Sequence, residues 1–254
     1  MKKEAYSLVN PILRRLLCSS SVERRLHKLC SELVVRYLDL GGAHSVEGYV
    51  VIHLSVVEPY GIPLRRTWDY VSEFDESTFS SVTRKVSLKR AVSLNFDVSA
   101  RLPLPDGCLS GVNMSHFLEH FDPASGLAIL KEVHRVLQAD GVIRVGCPDL
   151  RKYAQAYVQG NRAFFEDPAI RFHYQYPQLQ SMGDLFISKA YDGNNGHRWF
   201  YDADSCCDVL QRAGFVQCGS RRMHESALPR IEEVEPPSRE HESFYVEAMK
   251  PRNY

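Results

Sequence analysis

The stretch LSGVNMSHFLEHFDPASGLAILKEVHRVLQADGVIRVGCP, residues 109–148, contains a strand, a helix and a second strand in succession. Residues 109–115 form a short apolar run. Asp122 followed by Pro123 is typical of a helix start, because Asp caps free N–H groups and Pro fits the first turn. Apolar residues then recur at helical spacing, and a second apolar run follows at 142–147. This order predicts one repeating unit of a parallel α/β sheet.

Further signals on both sides of this unit continue the alternation. The turn residues Asp140 and Gly141 are expected to end the helix, and a second helix is expected at 150–160. A third helix is expected from a cap at Asp202 or Asp204 to Gly214, and further strands at 33–40, 49–54, 90–98, 215–222 and 243–250. Alternating strands and helices predict a mostly parallel sheet with helices on both faces.

The chain is expected to divide into an N-terminal helical segment, 1–32, and one main domain, 33–254. Its 254 residues, 44% of them hydrophobic, are enough for one substantial core. Within the domain, residues 161–200 are rich in aromatic and polar side chains without sustained periodicity. We expect this insertion to form a lid.

Composition disfavours several classes of partner. Lys plus Arg and Asp plus Glu are equal at 31 each, so no overall field draws the chain to nucleic acid or an anionic membrane. The apolar stretch near the amino terminus is broken by polar residues and predicts neither a secretory signal nor a membrane span. The seven cysteines have no C-x-x-C spacing, which favours reduced thiols in a cytoplasmic protein.

Small and polar residues follow four of the predicted strands. The first strand is followed by a small-residue turn, the second ends in His, the third in Asp and the fourth in Ser and His: Gly41, Gly42, Ala43, His53, Asp97, Ser115 and His116. In an open α/β sheet, ligands bind at the carboxyl ends of the strands, where these residues fall. Taken singly, the glycine pair is equally a tight turn and Asp97 equally a loop acid.

The ordered series over residues 95–150 resembles the class I S-adenosylmethionine-dependent methyltransferases, in particular a methyltransferase type 11-like subgroup. It has a strand-end Asp, the turn LPLPDG, the segment SHFLEH and the run HRVLQADGVIRVGCPD in the family's order. The stretches 37–54, 196–215 and 242–250 are similar to further parts of that subgroup. The resemblance implies a Rossmann-like, doubly wound fold with a mostly parallel seven-stranded sheet and an antiparallel C-terminal strand.

The resemblance also implies S-adenosyl-L-methionine as cofactor and assigns its contacts. The methionine and ribose part would be lined by Gly41, Gly42 and Ala43, the adenine by Asp97 and Val98, and the methionine moiety by Ser115 and His116. His53 stands where the family has a ribose-binding acid, for which Glu58 is a candidate substitute, and Ala43 replaces a third glycine. These departures leave open a catalytically silent binding domain with the same fold.

The histidines suggest three kinds of site. A metal site ranks last, because His116 and His120 share a helical face but no third ligand obviously completes the set, and we expect no metal. Glu119 and His120 are expected to be structural. His116 and His197 are the candidate catalytic residues, although 197–201 equally fits aromatic docking of the lid.

The predicted activity is methyl transfer to an oxygen or nitrogen of a small-molecule or saccharide-like acceptor. Holding the two reactants in near-attack geometry supplies much of the acceleration of such a transfer, so a dedicated base is optional. A nucleic-acid acceptor is disfavoured by the balanced charge, and the basic stretches 84–90 and 220–222 are read as solvated faces.

Overall fold

The computed structural model describes the backbone of nine strands and the side chains of much of the carboxyl-terminal half of the chain. The described residues are 37–41, 49–54, 71–74, 81–84, 92–96, 102, 104–167, 170, 181–190 and 197–252. The predicted helical segment 1–32 lies outside them, as do Gly42, Ala43, Glu58, Asp97 and Val98.

The described part of the chain contains nine strands and six α-helices. The strands are β1 Tyr37–Leu40, β2 Tyr49–Leu54, β3 Val71–Phe74, β4 Ser81–Arg84, β5 Val92–Phe96, β6 Leu109–Ser115, β7 Leu137–Pro148, β8 Val216–Ser220 and β9 Ser243–Met249. The described helices are α1 Pro123–Val136, α2 Leu150–Val158, α3 Arg162–Glu166, α4 Met182–Ala190, α5 Ala203–Arg212 and the short α6 Ile231–Val234. Two 3-10 turns lie at Leu118–His120 and Pro237–Arg239.

The main sheet has the strand order β5-β2-β1-β6-β7-β9-β8. The first five strands of that order pair in parallel, and β9 lies antiparallel between β7 and β8. The Rossmann-like, parallel-dominated sheet and its antiparallel C-terminal strand are confirmed. The chain runs outward from β1 in one direction and from β6 in the other, so the strand order reverses between them, which is where such sheets bind ligands. A separate antiparallel hairpin, β3 with β4, was not predicted.

The start of α1 follows the prediction and its end does not. The Asp122 side chain accepts from the backbone N–H groups of Ala124 and Ser125, with Pro123 in the first turn. The helix ends at Val136 rather than at the predicted Asp140–Gly141 turn. Leu137 is already extended because it pairs with Leu109 as the first residue of β7.

One face of the sheet is apolar and carries the main core. Alternate residues of the central strands point to this face and pack with buried residues of α1 and α5. The strand members of this core include Leu38, Leu40, Val112, Met114, Ile143, Val145, Val246 and Ala248. Burial of this face stabilises the arrangement of the strands at roughly 25 cal/mol per Å² of apolar surface.

The opposite face carries a buried polar row. Asp39, Asn113, Arg144 and Glu247 lie side by side in register on β1, β6, β7 and β9, and all four are at most 4% exposed. The Asn113 amide donates to Asp39 Oδ1 over 3.0 Å. Buried polar groups need such partners, because an unmade hydrogen bond costs about 1–3 kcal/mol.

The polar row is covered by residues 221–242, which we call the β8–β9 connection. The Arg144 guanidinium donates to the carbonyl oxygens of Arg222 at 3.2 Å and Glu225 at 3.0 Å, and to that of Met223. It also lies 4.7 Å from the centre of the Tyr245 ring. These contacts fasten the connection to the sheet, so its last residues are positioned at the strand ends.

A disulfide corrects the prediction of reduced thiols. Cys207 on α5 is bonded to Cys218 on β8, whereas Cys147 and Cys206 are free thiols. The prediction was wrong for this pair because their eleven-residue separation has no recognised spacing, and the turn after α5 brings β8 back along the helix.

The described part of the 161–200 insertion packs on α2. Residues of α2, α3 and α4, together with Ile170, form a cluster separate from the main core: Tyr153, Ala156, Phe164, Phe165, Ile170 and Leu185. None of the described helices is long and apolar enough to cross a membrane.

Candidate functional site

The turn after β1 and the end of β6 are in contact. Gly41 has φ +85°, a left-handed conformation that side-chain-bearing residues rarely adopt. A Cβ atom at Gly41 would lie 3.0 Å from the Ser115 carbonyl oxygen and 3.1 Å from the Phe117 side chain. The structure therefore brings together Gly41, Ser115 and His116, three of the predicted cofactor contacts. His53 lies at the carboxyl end of β2, paired with Asn95 of β5.

His116 adopts an unusual backbone conformation directly after β6. Its φ is +47°, and its N–H donates to the Gly146 carbonyl over 2.8 Å. Such strained conformations cluster at functional sites, because the surrounding structure must hold them. The His116 Nε2 atom lies 2.7 Å from Ser243 Oγ, and Nδ1 lies 3.2 Å from Arg239 Nη1.

These partners define the protonation of the His116 ring. A guanidinium only donates, so Nδ1 accepts from Arg239, and we assign the single ring proton to Nε2, which donates to Ser243. Burial and then the Arg239 charge hold the pKa of His116 well below its usual value. His116 is therefore a neutral imidazole with a defined tautomer.

Glu242 anchors the end of the β8–β9 connection. Its carboxylate accepts from Lys189 Nζ at 2.9 Å, from the Tyr153 hydroxyl at 2.6 Å and from Arg239 Nη1 at 3.2 Å. Burial opposes the charged form, but the Lys189 and Arg239 charges outweigh it and lower the pKa of Glu242. Through Lys189, this ion cluster joins the β8–β9 connection to α4. Through Arg239, which donates to His116 Nδ1, it also contacts that ring.

A second carboxylate from the connection reaches the end of β6. Glu235 Oε2 accepts from the Ser115 hydroxyl over 2.8 Å. Its other oxygen, Oε1, lies 3.7 Å from Arg144 Nε. Within the described part of the chain, neither this oxygen nor Asp39 Oδ2 has a hydrogen-bond partner, and both are buried. Burial, opposed by the Asn113 hydrogen bond and reinforced by the Glu235 charge, raises the pKa of Asp39 to about 8. Burial also raises the pKa of Glu235.

His197 lies beside the 3-10 turn rather than in an open pocket. Its side chain is 8% exposed, and its Nε2 atom lies 4.0 Å from Glu119 Oε1. The N–H groups of Arg198 and Trp199 both donate to the Glu119 carbonyl oxygen. The 197–199 segment therefore docks on the turn after β6. Burial lowers the pKa of His197.

A cleft of about 310 Å³ opens beside Ser243. Its walls come from the start of α2, the end of β8 and the start of β9. Four lining side chains are cationic and two are acidic: Arg151, Lys152, Arg221, Arg222, Asp149 and Glu240. Because Ser243 lines the cleft and also contacts His116, the cleft begins one side chain away from the strand-end residues.

Several residues of this site were not predicted. Glu235, Arg239 and Glu242 belong to the charged, proline-containing stretch between the predicted strands 215–222 and 243–250, and Ser243 is the first residue of the second of these strands. The one available signal was the position of that loop before the last strand, since an antiparallel strand must begin at the edge where its parallel neighbours end.

Comparisons with known proteins agree with the resemblance in sequence. A family model described as a methyltransferase domain matches residues 70–145. No curated protein matches the chain.

Solved structures similar to this chain include several methyltransferases. One from Archaeoglobus fulgidus, described as an S-adenosylmethionine-dependent methyltransferase, is 15% identical, with a TM-score of 0.44 over 94% of this chain and 98% of its own. A possible histamine N-methyltransferase from Thermotoga maritima is 16% identical, with a TM-score of 0.41 over 98% and 97%. PigF, solved with S-adenosylhomocysteine, is 15% identical, with a TM-score of 0.42 over 87% of this chain and 59% of its own.

The family match includes β5 and β6, and with them Ser115 and His116 at the edge where the sheet reverses its strand order. Those are the elements on which the resemblance in sequence rests. Residues 70–145 of this chain therefore match a methyltransferase domain, the family that the sequence resembles.

Proposed function

We propose that the protein methylates an oxygen or a nitrogen of a small-molecule or saccharide-like acceptor that carries an acidic group. The observation that supports this most directly is the cationic cleft beside Ser243, one side chain from His116. Its volume is at the lower end of the range for small-ligand pockets. Two of its four cations, Arg151 and Arg221, already pair with carboxylates outside the lining, so Lys152 and Arg222 are the cations that favour a carboxylate or phosphate on the acceptor.

The residues at the strand ends fit S-adenosylmethionine. Gly41 provides a backbone surface without a side chain, where a Cβ atom would fill the space against Ser115 and Phe117. The Asp39 carboxyl, whose Oδ2 has no hydrogen-bond partner among the described residues, keeps its proton below about pH 8 and can donate to an oxygen or nitrogen of the cofactor. We propose that Gly41, Ser115 and His116 hold the methionine part, with Gly42, Ala43, His53, Asp97 and Val98 completing the site as the resemblance implies.

S-adenosylmethionine supplies a methyl group on a sulfonium, which is already a good leaving group. The task left to the chain is to hold the acceptor in line and exclude water, which supplies much of the rate enhancement in such a reaction. We propose that the His116 N–H fixes the Ser243 hydroxyl so that its proton points to the acceptor. His116 is thus a positioning residue, and we place His197 behind it as support.

Two further predictions belong to this proposal. We propose the 161–200 insertion as the lid, since its described helices form their own cluster on α2 next to the cleft residues Arg151 and Lys152. The cytoplasmic location and the exclusion of nucleic acid as acceptor stay predictions.

Calorimetric titration with S-adenosylhomocysteine tests the cofactor part of the proposal. We expect one site per chain and weaker binding by Gly41→Ala, while Gly160→Ala, at a solvent-facing glycine with φ +64°, serves as the matched control. An absence of binding heat at several temperatures would contradict the proposal and favour a silent domain.

Methyl transfer from labelled cofactor tests the acceptor part. A panel of small hydroxyl and amine compounds, with and without carboxylate or phosphate, is offered to the wild type and to Arg222→Gln. We expect transfer only to acidic members and a raised KM in the variant. Equal transfer to neutral members would contradict the acidic acceptor without affecting cofactor binding.

A further inference from the structure

Three side chains from two distant parts of the chain meet beneath the turn that follows β6. Glu119 and His120 belong to the 3-10 turn, and His197 begins the segment docked on it. One ligand atom from each side chain lies within 4.8 Å of the other two. Glu119 is completely buried and His197 is 9% exposed.

The cluster contains acceptors that lack donors. Glu119 Oε1 and His120 Nδ1 are both buried without a hydrogen-bond partner among the residues that the structure describes. Two imidazole nitrogens approach Glu119 Oε1, His116 Nδ1 at 3.4 Å and His197 Nε2 at 4.0 Å. Neither supplies a proton in the tautomers that their other contacts impose.

Those tautomers follow from the partner of each ring. His197 Nδ1 lies 3.0 Å from the Lys189 carbonyl oxygen, which only accepts, so Nδ1 carries the proton and Nε2 has a lone pair. His116 Nδ1 faces the Arg239 guanidinium and therefore also has a lone pair. The lone pairs of His116 Nδ1 and His197 Nε2 therefore both face the buried oxygen Glu119 Oε1. Such a group of acceptors is unfavourable in free energy unless a cation is bound.

We propose that Glu119, His120 and His197 bind a divalent transition-metal ion of the Zn²⁺ type. Imidazole and carboxylate are ligands that Zn²⁺ accepts, and a set of three leaves a fourth position for water. Tetrahedral coordination at about 2.0–2.1 Å places ligand atoms roughly 3.3 Å apart, so the three ligand atoms must draw together from separations of up to 4.8 Å.

The surroundings of the cluster support metal ligation. A metal-bound His usually donates its other N–H to a carbonyl or carboxylate, as His197 does to Lys189. The other oxygen of Glu119, Oε2, accepts from the Cys147 thiol at 3.4 Å, which holds the carboxylate in place. The sequence prediction ranked a metal last for want of a third ligand, and the fold supplies His197.

The ion would fasten the end of the proposed lid to the cofactor edge of the sheet. Residues 197–199 already rest on the turn through two backbone hydrogen bonds to the Glu119 carbonyl. A bound cation adds a link through side chains directly behind His116. The site is therefore structural and takes no part in moving the methyl group.

Metal titration of the full chain tests this proposal. The protein is stripped with a chelator under conditions that keep the Cys207–Cys218 disulfide intact, and is titrated with Zn²⁺ and with Co²⁺, whose visible spectrum reports its geometry. We expect one ion per chain, a tetrahedral Co²⁺ spectrum and a higher Tm with Zn²⁺. His120→Asn and His197→Asn should each weaken binding by at least about 100-fold.

Two controls keep the result specific. His224→Asn removes an exposed histidine of the β8–β9 connection and should bind Zn²⁺ as the wild type does. His120 is only partly buried, so its variant provides the result if His197→Asn does not fold. Absence of stoichiometric binding by the wild type, or equal binding by His120→Asn, would overturn the proposal, whatever the result with S-adenosylhomocysteine.

Discussion

The Nζ atom of Lys189 lies 2.9 Å from Glu242 Oε2, and both side chains are 1% exposed. Breaking a buried ion pair from one side leaves an uncompensated charge and typically costs about 3–5 kcal/mol. We therefore expect Glu242→Gln to lower the free energy of unfolding at pH 7 by about that amount. Denaturation with urea, followed by circular dichroism, measures it.

An exposed pair provides the control for this prediction. Arg162 and Glu166 are 2.7 Å apart with side chains 45% and 42% exposed. Glu166→Gln should lower the free energy of unfolding by less than about 0.5 kcal/mol, since solvent screens exposed ion pairs. Because the pKa of Glu242 is lowered, its stabilising effect should fade as the pH falls into the acid range. Similar costs for the two variants would contradict the buried-pair interpretation.

The disulfide between Cys207 and Cys218 predicts a loss of stability on reduction. It closes a loop with a sequence separation of 11, for which the chain-entropy model gives about 2–3 kcal/mol. We expect the double variant Cys207→Ser with Cys218→Ser to lose that amount in urea denaturation, and Cys108→Ser to lose little. Detection of both thiols by alkylation of the native, unreduced protein would contradict the assignment.

The parts of the fold that were predictable depend on residues close together in sequence. Asp122 and Asp149 cap their helices by accepting from N–H groups two or three positions later. The β6 limits, 109–115, were likewise predicted and confirmed. By contrast, the end of α1 depends on the pairing of Leu137 with Leu109, a contact between distant residues that no local pattern contains.

The candidate site was predictable only in part, for a similar reason. Ser115 and His116 follow a strand directly, so their place at the sheet edge follows from the strand assignment. The partners of these two residues, Glu235 and Ser243, lie more than a hundred positions away and arrive through the β8–β9 connection. Their meeting depends on how Arg144 fastens that connection to the polar face.

Because the pKa of Asp39 is raised, we expect Asp39→Asn to increase the free energy of unfolding by an amount that depends on pH. The folded carboxyl keeps its proton from the ordinary value of 3.8 up to about 8, whereas the unfolded one loses it. The native state therefore binds more protons in this window, and the free energy of unfolding falls as the pH rises through it. The variant removes that dependence.

We expect the asparagine variant to be more stable than the wild type by about 1–3 kcal/mol near pH 8.5, and by less near pH 5. Urea denaturation at both pH values measures the difference. Asp208→Asn, at an exposed carboxyl of α5, should change stability little at either pH. A gain that is equal at both pH values would contradict the burial argument.

Gly41 and Gly160 separate the cost of a left-handed backbone from the cost of a close contact. Both have positive φ, +85° and +64°, but a Cβ atom at Gly160 would meet nothing within 4 Å. Gly160→Ala should therefore lose only about 1 kcal/mol, the penalty for a side chain in that conformation. Gly41→Ala adds contacts at 3.0–3.1 Å with Ser115 and Phe117, and overpacking of this kind costs a further 1–3 kcal/mol or so. Urea denaturation of the two variants tests the difference, and equal losses would mean that the turn after β1 can move away from the end of β6.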